Sequence, residues 1–175
     1  MIFFVVLAIA TLLAAVVQLV SHRFDARSTA RIGMAVAMVV AGVAHLVSPT
    51  PFLQHLPAWT PAAEALIVIT GLIEIGLGVA LVVVRGQWRP SVGLALAAYL
   101  IAVFPGNVYV AVAGIDVDGQ PGGWYPWLRL PFQALFIAWA LWSTRLRPPI
   151  LRPVGAVGSR QGFRGDVERP TGVPR

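Results

Sequence analysis

The sequence predicts an all-α polytopic membrane protein, built as a four-helix transmembrane bundle with one additional N-terminal transmembrane helix. Of the 175 residues, 58% are apolar and only 11% are charged, and the mean hydropathy is +0.79. Soluble domains are about 45–50% apolar and about 25% charged, so this composition excludes a soluble enzyme. Five apolar runs are long enough to cross a bilayer, and arginine-rich loops alternate with arginine-poor loops between them.

Each apolar run approaches the roughly 20 helical residues that cross a hydrocarbon core of about 30 Å. The predicted spans are residues 2–20, 30–47, 62–84, 91–113 and 127–145. Pro49, Pro61 and Pro90 lie near the ends of these runs, where a missing amide hydrogen costs little. The predicted organisation is an N-terminal transmembrane anchor at 1–20, a four-helix unit at 30–145 and a basic disordered tail at 146–175.

The arginines predict the orientation of the chain in a cell membrane. There are 13 arginines and no lysine, and all but Arg129 fall in the first loop, the third loop or the C-terminal tail. By the positive-inside rule, this pattern predicts an outside N-terminus and a cytoplasmic C-terminus. Positive charges follow the first run instead of preceding it, which favours a retained anchor over a signal peptide. Topology therefore explains the net charge of +6, and we expect membrane lipid as a partner and no nucleic acid.

Few polar side chains interrupt the spans, and each marks a candidate site because a charge inside a bilayer costs several kcal/mol unless it is paired or hydrated. The predicted ligand-binding residues, which come from four different spans, are His45, Glu74, Asn107, Arg129 and Gln133. Most of them fall in the outer half of the membrane, and Glu74 lies deeper. We therefore expect these side chains to meet in a shared pocket on the extracytoplasmic side.

Glu74 carries the strongest signal for function, because so deep a carboxyl group must be neutral or paired. Thr70, Glu74 and Gly78 share one helical face at four-residue spacing. Small residues on that face let a neighbouring helix approach Glu74 closely. The sequence leaves open whether Arg129 pairs with Glu64 or with Glu74, and depth along the helices favours Glu64.

The absence of cysteine narrows the possible chemistry. With no cysteine, the chain itself cannot carry out thiol–disulfide exchange, hold an iron–sulfur cluster or build a thiolate zinc site. The three histidines, His22, His45 and His55, lack the spacing of metal ligands, so we expect no metal site and no catalytic residues. Any redox chemistry would need a bound cofactor or a partner protein.

Four stretches, in this order, resemble the DoxX-like family of small bacterial integral membrane proteins. They are residues 42–52 with Leu56-Pro57, residues 70–76 with Glu74, residues 103–107 with Asn107, and residues 129–133 with Arg129 and Gln133. Together they span about residues 32–143. The family more often has His-Phe at His45-Leu46 and Pro-Ala-Asn at 105–107, which are mild departures. The resemblance implies that spans two to five form the bundle, and some relatives are associated with thiosulfate-to-quinone electron transfer or with membrane oxidoreductase assemblies.

The leading hypothesis is a small-ligand-binding protein or accessory subunit of a membrane redox system, without catalytic activity of its own. The sequence leaves the cofactor open, with a quinone as the candidate, and a membrane-associated oxidoreductase subunit is the candidate protein partner. Two alternatives stay open. The buried Glu74, the arginine Arg129 and the fourth span, which Pro105 is expected to kink, also suit a small proton-coupled transporter. The polar residues could instead hold together a scaffold that stabilises another membrane protein.

Overall fold

The structure is a computed structural model, and it describes residues 2–146. Helices form all of the regular structure in this range. Their bounds are Ile2–Val20 for α1, Ala26–Val47 for α2, Thr50–Leu53 for α3, Ala63–Val83 for α4, Arg89–Ala113 for α5 and Tyr125–Thr144 for α6. A single 3-10 turn at Gly86–Trp88 precedes α5. The all-α class is confirmed. Apart from its first residue, the predicted basic tail lies outside the described residues.

Four of the helices are long and apolar enough to cross a membrane. The spans are Phe3–Val20, Ala26–Val47, Ala63–Val83 and Gly86–Ala113, the last of which includes the 3-10 turn. The sixth helix, α6, has 20 residues but is not among these four, because Arg129 and Gln133 lower its mean hydropathy. Large apolar side chains such as Leu12, Val83 and Val112 are more than half exposed. An apolar surface of this extent requires apolar surroundings.

The second helix, α2, begins four residues before its predicted start, and the other long helices match their predicted bounds within two residues. Asp25 explains the difference, because its carboxylate accepts a hydrogen bond of 3.3 Å from the backbone N–H of Arg27. This cap stabilises a polar first turn that includes Arg27, Ser28 and Thr29. A search for apolar runs cannot detect such a turn, since it begins only where the hydropathy rises.

The second helix also lies at the centre of the packing. It contacts α1, α4 and α6, while α5 packs against α6 and, less extensively, against α4. About 44% of the α2 span is buried, compared with 6% of the α1 span. The first helix therefore lies at the edge of the molecule, and α2 holds the other long helices together.

The hydrophobic core draws on all five long helices. Met34 and Met38 of α2 are fully buried, and they pack with Leu7 of α1, Leu96 of α5 and Ala140 of α6. Methionine side chains fill irregular gaps between helices because they are unbranched and flexible. The core thus fixes the positions of the helices that carry the candidate site residues.

Candidate functional site

Two glycines let α2 and α4 approach closely beside the predicted site. A Cβ atom added at Gly42 would lie 2.5 Å from the carbonyl oxygen of Gly71, and one added at Gly71 would lie 2.8 Å from Cβ of His45. Both distances are far shorter than van der Waals contact, so only glycine fits at these two positions. The same close approach brings His45 of α2 next to Glu74 of α4.

His45, Glu74 and Tyr99 come from α2, α4 and α5 and form a polar group, called here the His–Glu–Tyr cluster. Nδ1 of His45 lies 3.1 Å from Oε2 of Glu74. The Tyr99 hydroxyl donates a hydrogen bond of 2.9 Å to Oε1 of Glu74. His45 and Glu74 are only 9% and 8% exposed, so these buried groups depend on each other for polar partners. The cluster links three helices through one carboxyl group.

One carboxylate oxygen of Glu74 has no hydrogen bond. Nδ1 of His45 lies 2.9 Å from the carbonyl oxygen of Ala41 on its own helix, and a carbonyl can only accept, so Nδ1 carries the proton. This N–H is directed at Ala41, and Oε2 of Glu74 is buried without a hydrogen-bond partner within residues 2–146. A buried unsatisfied acceptor costs about 1–3 kcal/mol. Nδ1 of His45 also lies 3.1 Å from Oε2, but its N–H points at Ala41, so Oε2 keeps the capacity to accept a hydrogen bond from a bound group.

An aromatic ring covers the His–Glu–Tyr cluster from one side. Phe52 of the short helix α3 stacks on His45, with 3.7 Å between the ring centroids and 23° between the ring planes. The third helix has no buried residue, and Phe52 is half-buried. The ring that covers the cluster thus belongs to a short surface segment outside the long helices.

A second polar contact joins α5 to α6. Gln133 donates a hydrogen bond of 2.6 Å from Nε2 to the carbonyl oxygen of Leu100, and Asn107 Nδ2 lies 3.4 Å from Gln133 Oε1. Leu100 follows Tyr99 directly in α5, so the two polar contacts start from neighbouring residues. In the described part of the chain, no hydrogen bond joins either amide to Glu74. Their donors are committed to each other and to the backbone.

Arg129 lies in a third polar contact, with His55 and Gln120. Its Nη1 atom is 2.7 Å from Nε2 of His55 and 2.8 Å from Oε1 of Gln120. Because arginine can only donate, Nε2 of His55 accepts, and Nδ1 of His55 donates to the carbonyl oxygen of Pro51 at 2.8 Å. Burial, together with the positive charge of Arg129, lowers the pKa of His55 from 6.5 to about 4. His55 is therefore neutral near pH 7.

The predicted pairing of Arg129 with an acid is wrong. No carboxylate within residues 2–146 lies within ion-pair distance of Arg129. Glu64 is exposed in the first turn of α4, and Glu74 is engaged with His45 and Tyr99. The physical reason is the path of the loop of residues 48–61. This loop folds back and places His55, instead of a carboxylate, against Arg129.

A further contact ties this loop to the loop before α6. Gln54 Nε2 donates to a carboxylate oxygen of Asp118 at 3.0 Å, and the backbone N–H of Asp118 donates to Gln54 Oε1 at 2.8 Å. Backbone atoms of His55 lie against Gly106 of α5, since a Cβ atom added there would be 3.1 Å from the His55 carbonyl oxygen. The two loops together close the end of the molecule that holds the His–Glu–Tyr cluster.

A surface groove lies along α5 and is almost entirely apolar. Its volume is about 600 Å³, and its lining includes Phe104, Pro105, Val108 and Tyr109. The groove is open to the surroundings, and none of the five predicted ligand-binding residues lines it. It fits an acyl chain better than a polar ligand.

The five predicted residues thus fall into three contacts instead of one shared pocket. His45 meets Glu74, Asn107 meets Gln133, and Arg129 meets neither pair directly. Sequence reasoning missed Tyr99 and His55. Tyr99 was detectable, because it lies about 15 Å into α5 by helical rise, away from the membrane interfaces where tyrosine is usual. Within the described range, no three histidine, aspartate or glutamate side chains form a group that could hold a metal ion.

Comparison with known families adds a classification to this geometry. The model of a family described as a domain of unknown function, DUF8561, matches residues 34–144. The chain belongs to this family. No curated protein and no solved structure matches the chain significantly.

The DUF8561 match includes every candidate site residue and leaves out α1. It extends from Met34 in the middle of α2 to Thr144 at the end of α6. The three polar contacts therefore all belong to the DUF8561 region. The first helix, which packs at the edge of the molecule, precedes it.

Replacing Tyr99 of this DUF8561 protein with phenylalanine is expected to lower the free energy of unfolding by about 1–2 kcal/mol. The variant keeps the aromatic ring but removes the donor to Glu74 Oε1, which leaves both carboxylate oxygens without a hydrogen bond. Unfolding by SDS, followed by tryptophan fluorescence, measures the change. Tyr109→Phe on the same helix is the matched control, and it should change the value by less than about 0.5 kcal/mol. Equal effects of the two variants would contradict the Tyr99–Glu74 bond.

Proposed function

We propose that the chain is a multi-pass protein of the cell membrane in which α2, α4, α5 and α6 form a transmembrane bundle and α1 is an added span. The support is the match between the four apolar spans and the arginine pattern. Arg27, Arg31 and Arg89 lie near the ends of helices that would face the cytoplasm. The N-terminus would then be outside, and the His–Glu–Tyr cluster would lie towards the extracytoplasmic side.

We propose that the His–Glu–Tyr cluster binds a small lipophilic ligand of the quinone class, and that the protein is an accessory subunit of a membrane redox system without catalytic activity of its own. One observation carries this proposal: within residues 2–146, Glu74 keeps a buried carboxylate oxygen without a hydrogen bond, next to His45. A hydroxyl group of a hydroquinone is a donor that would satisfy this oxygen. The protein partner would be a membrane-associated oxidoreductase, because the sequence has no cysteine for thiol redox chemistry.

The position of Phe52 supports an aromatic ligand. Its ring lies flat against His45 at a centroid distance of 3.7 Å, so this side of the imidazole accommodates a planar ring. A hydroquinone ring would take the place of Phe52 when α3 moves aside. Its hydroxyl would then donate to Glu74 Oε2, while Tyr99 continues to hold Oε1.

A diazirine-tagged hydroquinone, applied to the full chain in lipid nanodiscs, tests this site. We expect the label in the peptides that contain His45 and Phe52. Glu74→Gln should reduce labelling at least fivefold, because Tyr99 holds the amide oxygen at the Oε1 position and leaves an NH₂ group where the ligand needs an acceptor. Glu64→Gln is the matched control, since Glu64 is an exposed carboxyl on the same helix, and labelling should change less than twofold.

Labelling confined to other helices would overturn the proposed site, and so would equal labelling of the two variants. The oxidised form of the same probe sharpens the test. Its carbonyl groups can only accept, so Glu74→Gln should lose hydroquinone labelling without losing quinone labelling. A loss of both forms together would point to a folding defect, which the unfolding assay of the same variant detects independently.

A structural scaffold is the second candidate function, and a different observation favours it. Four polar side chains make hydrogen bonds to other groups of the protein, namely Gln133, Asn107, Arg129 and His55. Contacts of this kind hold helices and loops together, as a scaffold requires. If the protein is only a scaffold, Glu74→Gln lowers stability while wild type and variant show equally little labelling. The DoxX-like resemblance is compatible with either function and stays a prediction.

A further inference from the structure

Arginines from α2 and α5, together with Arg145 just after α6, surround a pocket at the end of the molecule opposite the His–Glu–Tyr cluster. The pocket has a volume of about 190 Å³, and the polar residues that line it are Asp25, Arg27, Arg31, Arg89, Ser143 and Arg145. Four guanidinium groups and one carboxylate leave a net local charge of +3. Here α2 and α5 begin and α6 ends.

Two of these arginines are held in place by the last turn of α6. Nη1 of Arg27 donates to the carbonyl oxygen of Arg145 at 3.3 Å, and Nη1 of Arg31 donates to the carbonyl oxygen of Ser143 at 3.4 Å. Cations are favourable at the C-terminal end of a helix. Each guanidinium has five N–H donors, so these bonds orient the side chains and leave other donors available.

Arg89 contributes a donor without an acceptor. Its Nε atom is buried and has no hydrogen-bond partner among the described residues. Arg89 also lies close enough to Arg31 for the two charges to repel each other. Asp25 offsets part of this charge, and its carboxylate also caps α2 through the backbone N–H of Arg27. A bound anion would satisfy the Arg89 donor and reduce the repulsion between the guanidinium groups.

The N-terminal end of α5, which begins at Arg89, adds to the preference of the pocket for anions. The first turn of α5 has no side-chain cap, and its N-terminal end carries a partial positive charge. Backbone N–H groups at such an end favour anions. The anion preference of the pocket therefore rests on the unpartnered Arg89 donor and the arginine cluster, and the helix end strengthens it.

We propose that this pocket binds a phosphate group. Guanidinium groups match the oxygens of a phosphate group with paired N–H donors. The volume of about 190 Å³ is sufficient for a phosphate group with a small substituent. The phosphate belongs either to an anionic phospholipid headgroup or to a small soluble phosphate ester.

Native mass spectrometry of the full chain in mild detergent tests the pocket. We expect phosphatidylglycerol to occupy one saturable site with at least tenfold preference over phosphatidylcholine, whose ammonium group the positive pocket repels. Arg89→Gln should weaken this binding at least fivefold. The matched control is Arg85→Gln, which removes the same charge from an exposed residue outside the pocket and should change binding less than twofold.

Equal losses in the two variants, or binding without saturation in the wild type, would overturn the proposal, because both indicate diffuse attraction to positive charge. Arg89→Lys keeps the charge but loses the paired donors, and binding should fall between wild type and Arg89→Gln. Circular dichroism verifies that each variant is folded, and the wild-type lipid preference tests the pocket even if a variant fails to fold. Millimolar inorganic phosphate, added to the lipid-bound protein, distinguishes the two sources of the phosphate group. Displacement of the lipid would assign the pocket to soluble phosphates, and retention of the lipid would assign it to a headgroup. The proposal does not depend on the quinone site.

Discussion

Replacing Gly71 with alanine is expected to lower the free energy of unfolding by about 1–3 kcal/mol. The new Cβ atom would lie 2.8 Å from Cβ of His45 and 2.9 Å from the carbonyl oxygen of Gly42. Neither atom is the end of a flexible side chain, so α2 and α4 must move apart. The movement would also separate His45 from Glu74. SDS unfolding followed by tryptophan fluorescence gives the loss of stability, and the hydroquinone label reports the damage to the cluster.

Gly76→Ala is the matched control for this prediction. Gly76 lies five residues further along α4, is exposed, and would have no atom within 4 Å of an added Cβ. Alanine is about 1 kcal/mol better than glycine inside a helix, so this variant should be neutral or slightly more stable. Should both substitutions change stability by the same amount, the close approach of α2 and α4 at Gly71 would not hold.

The helices could be predicted from the sequence because each long helix coincides with an apolar run. Four of them lie where hydropathy alone predicts a span. The close approach of α2 and α4 near Glu74 agrees with the expectation of small residues on that side of α4, and the residues in contact are Gly71 and Gly42. The short helix α3 could not be predicted in this way. It has only four residues and no buried position, so it leaves no periodic apolar pattern.

The site could be predicted in part. An isolated histidine and an isolated glutamate on apolar helices must find polar partners, and His45 and Glu74 find each other. The partner of Arg129 could not be predicted, because it depends on how the loop of residues 48–61 folds back. Spacing along a helix sets the depth of a side chain, but it does not set the path of a connecting loop. His55 and Gln120 both lie outside the long helices, and their contacts with Arg129 follow from the tertiary structure alone.

The contact between Arg129 and His55 should make the protein less stable in mild acid. Because burial and Arg129 lower the pKa of His55 from 6.5 to about 4, the unfolded chain binds this proton more readily than the folded chain. The stability that neutral His55 contributes is therefore complete above about pH 6.5 and is lost as the pH falls from 6.5 towards 4. A shift of this size corresponds to about 3 kcal/mol at most.

SDS unfolding at a series of pH values from about 7.5 to about 4 measures this loss, because that range includes both the unfolded and the folded pKa of His55. His55→Gln offers an amide oxygen to Arg129 and binds no proton in this range, so its stability should fall less steeply with acid than that of the wild type. The difference between the two profiles isolates His55 from the carboxylates that titrate in the same window. His22→Gln removes an exposed histidine after α1 and should follow the wild-type profile. Identical slopes for wild type and His55→Gln would show that Arg129 does not lower the pKa of His55. The contact between Gln54 and Asp118 would then be the remaining link between the loop of residues 48–61 and the loop before α6.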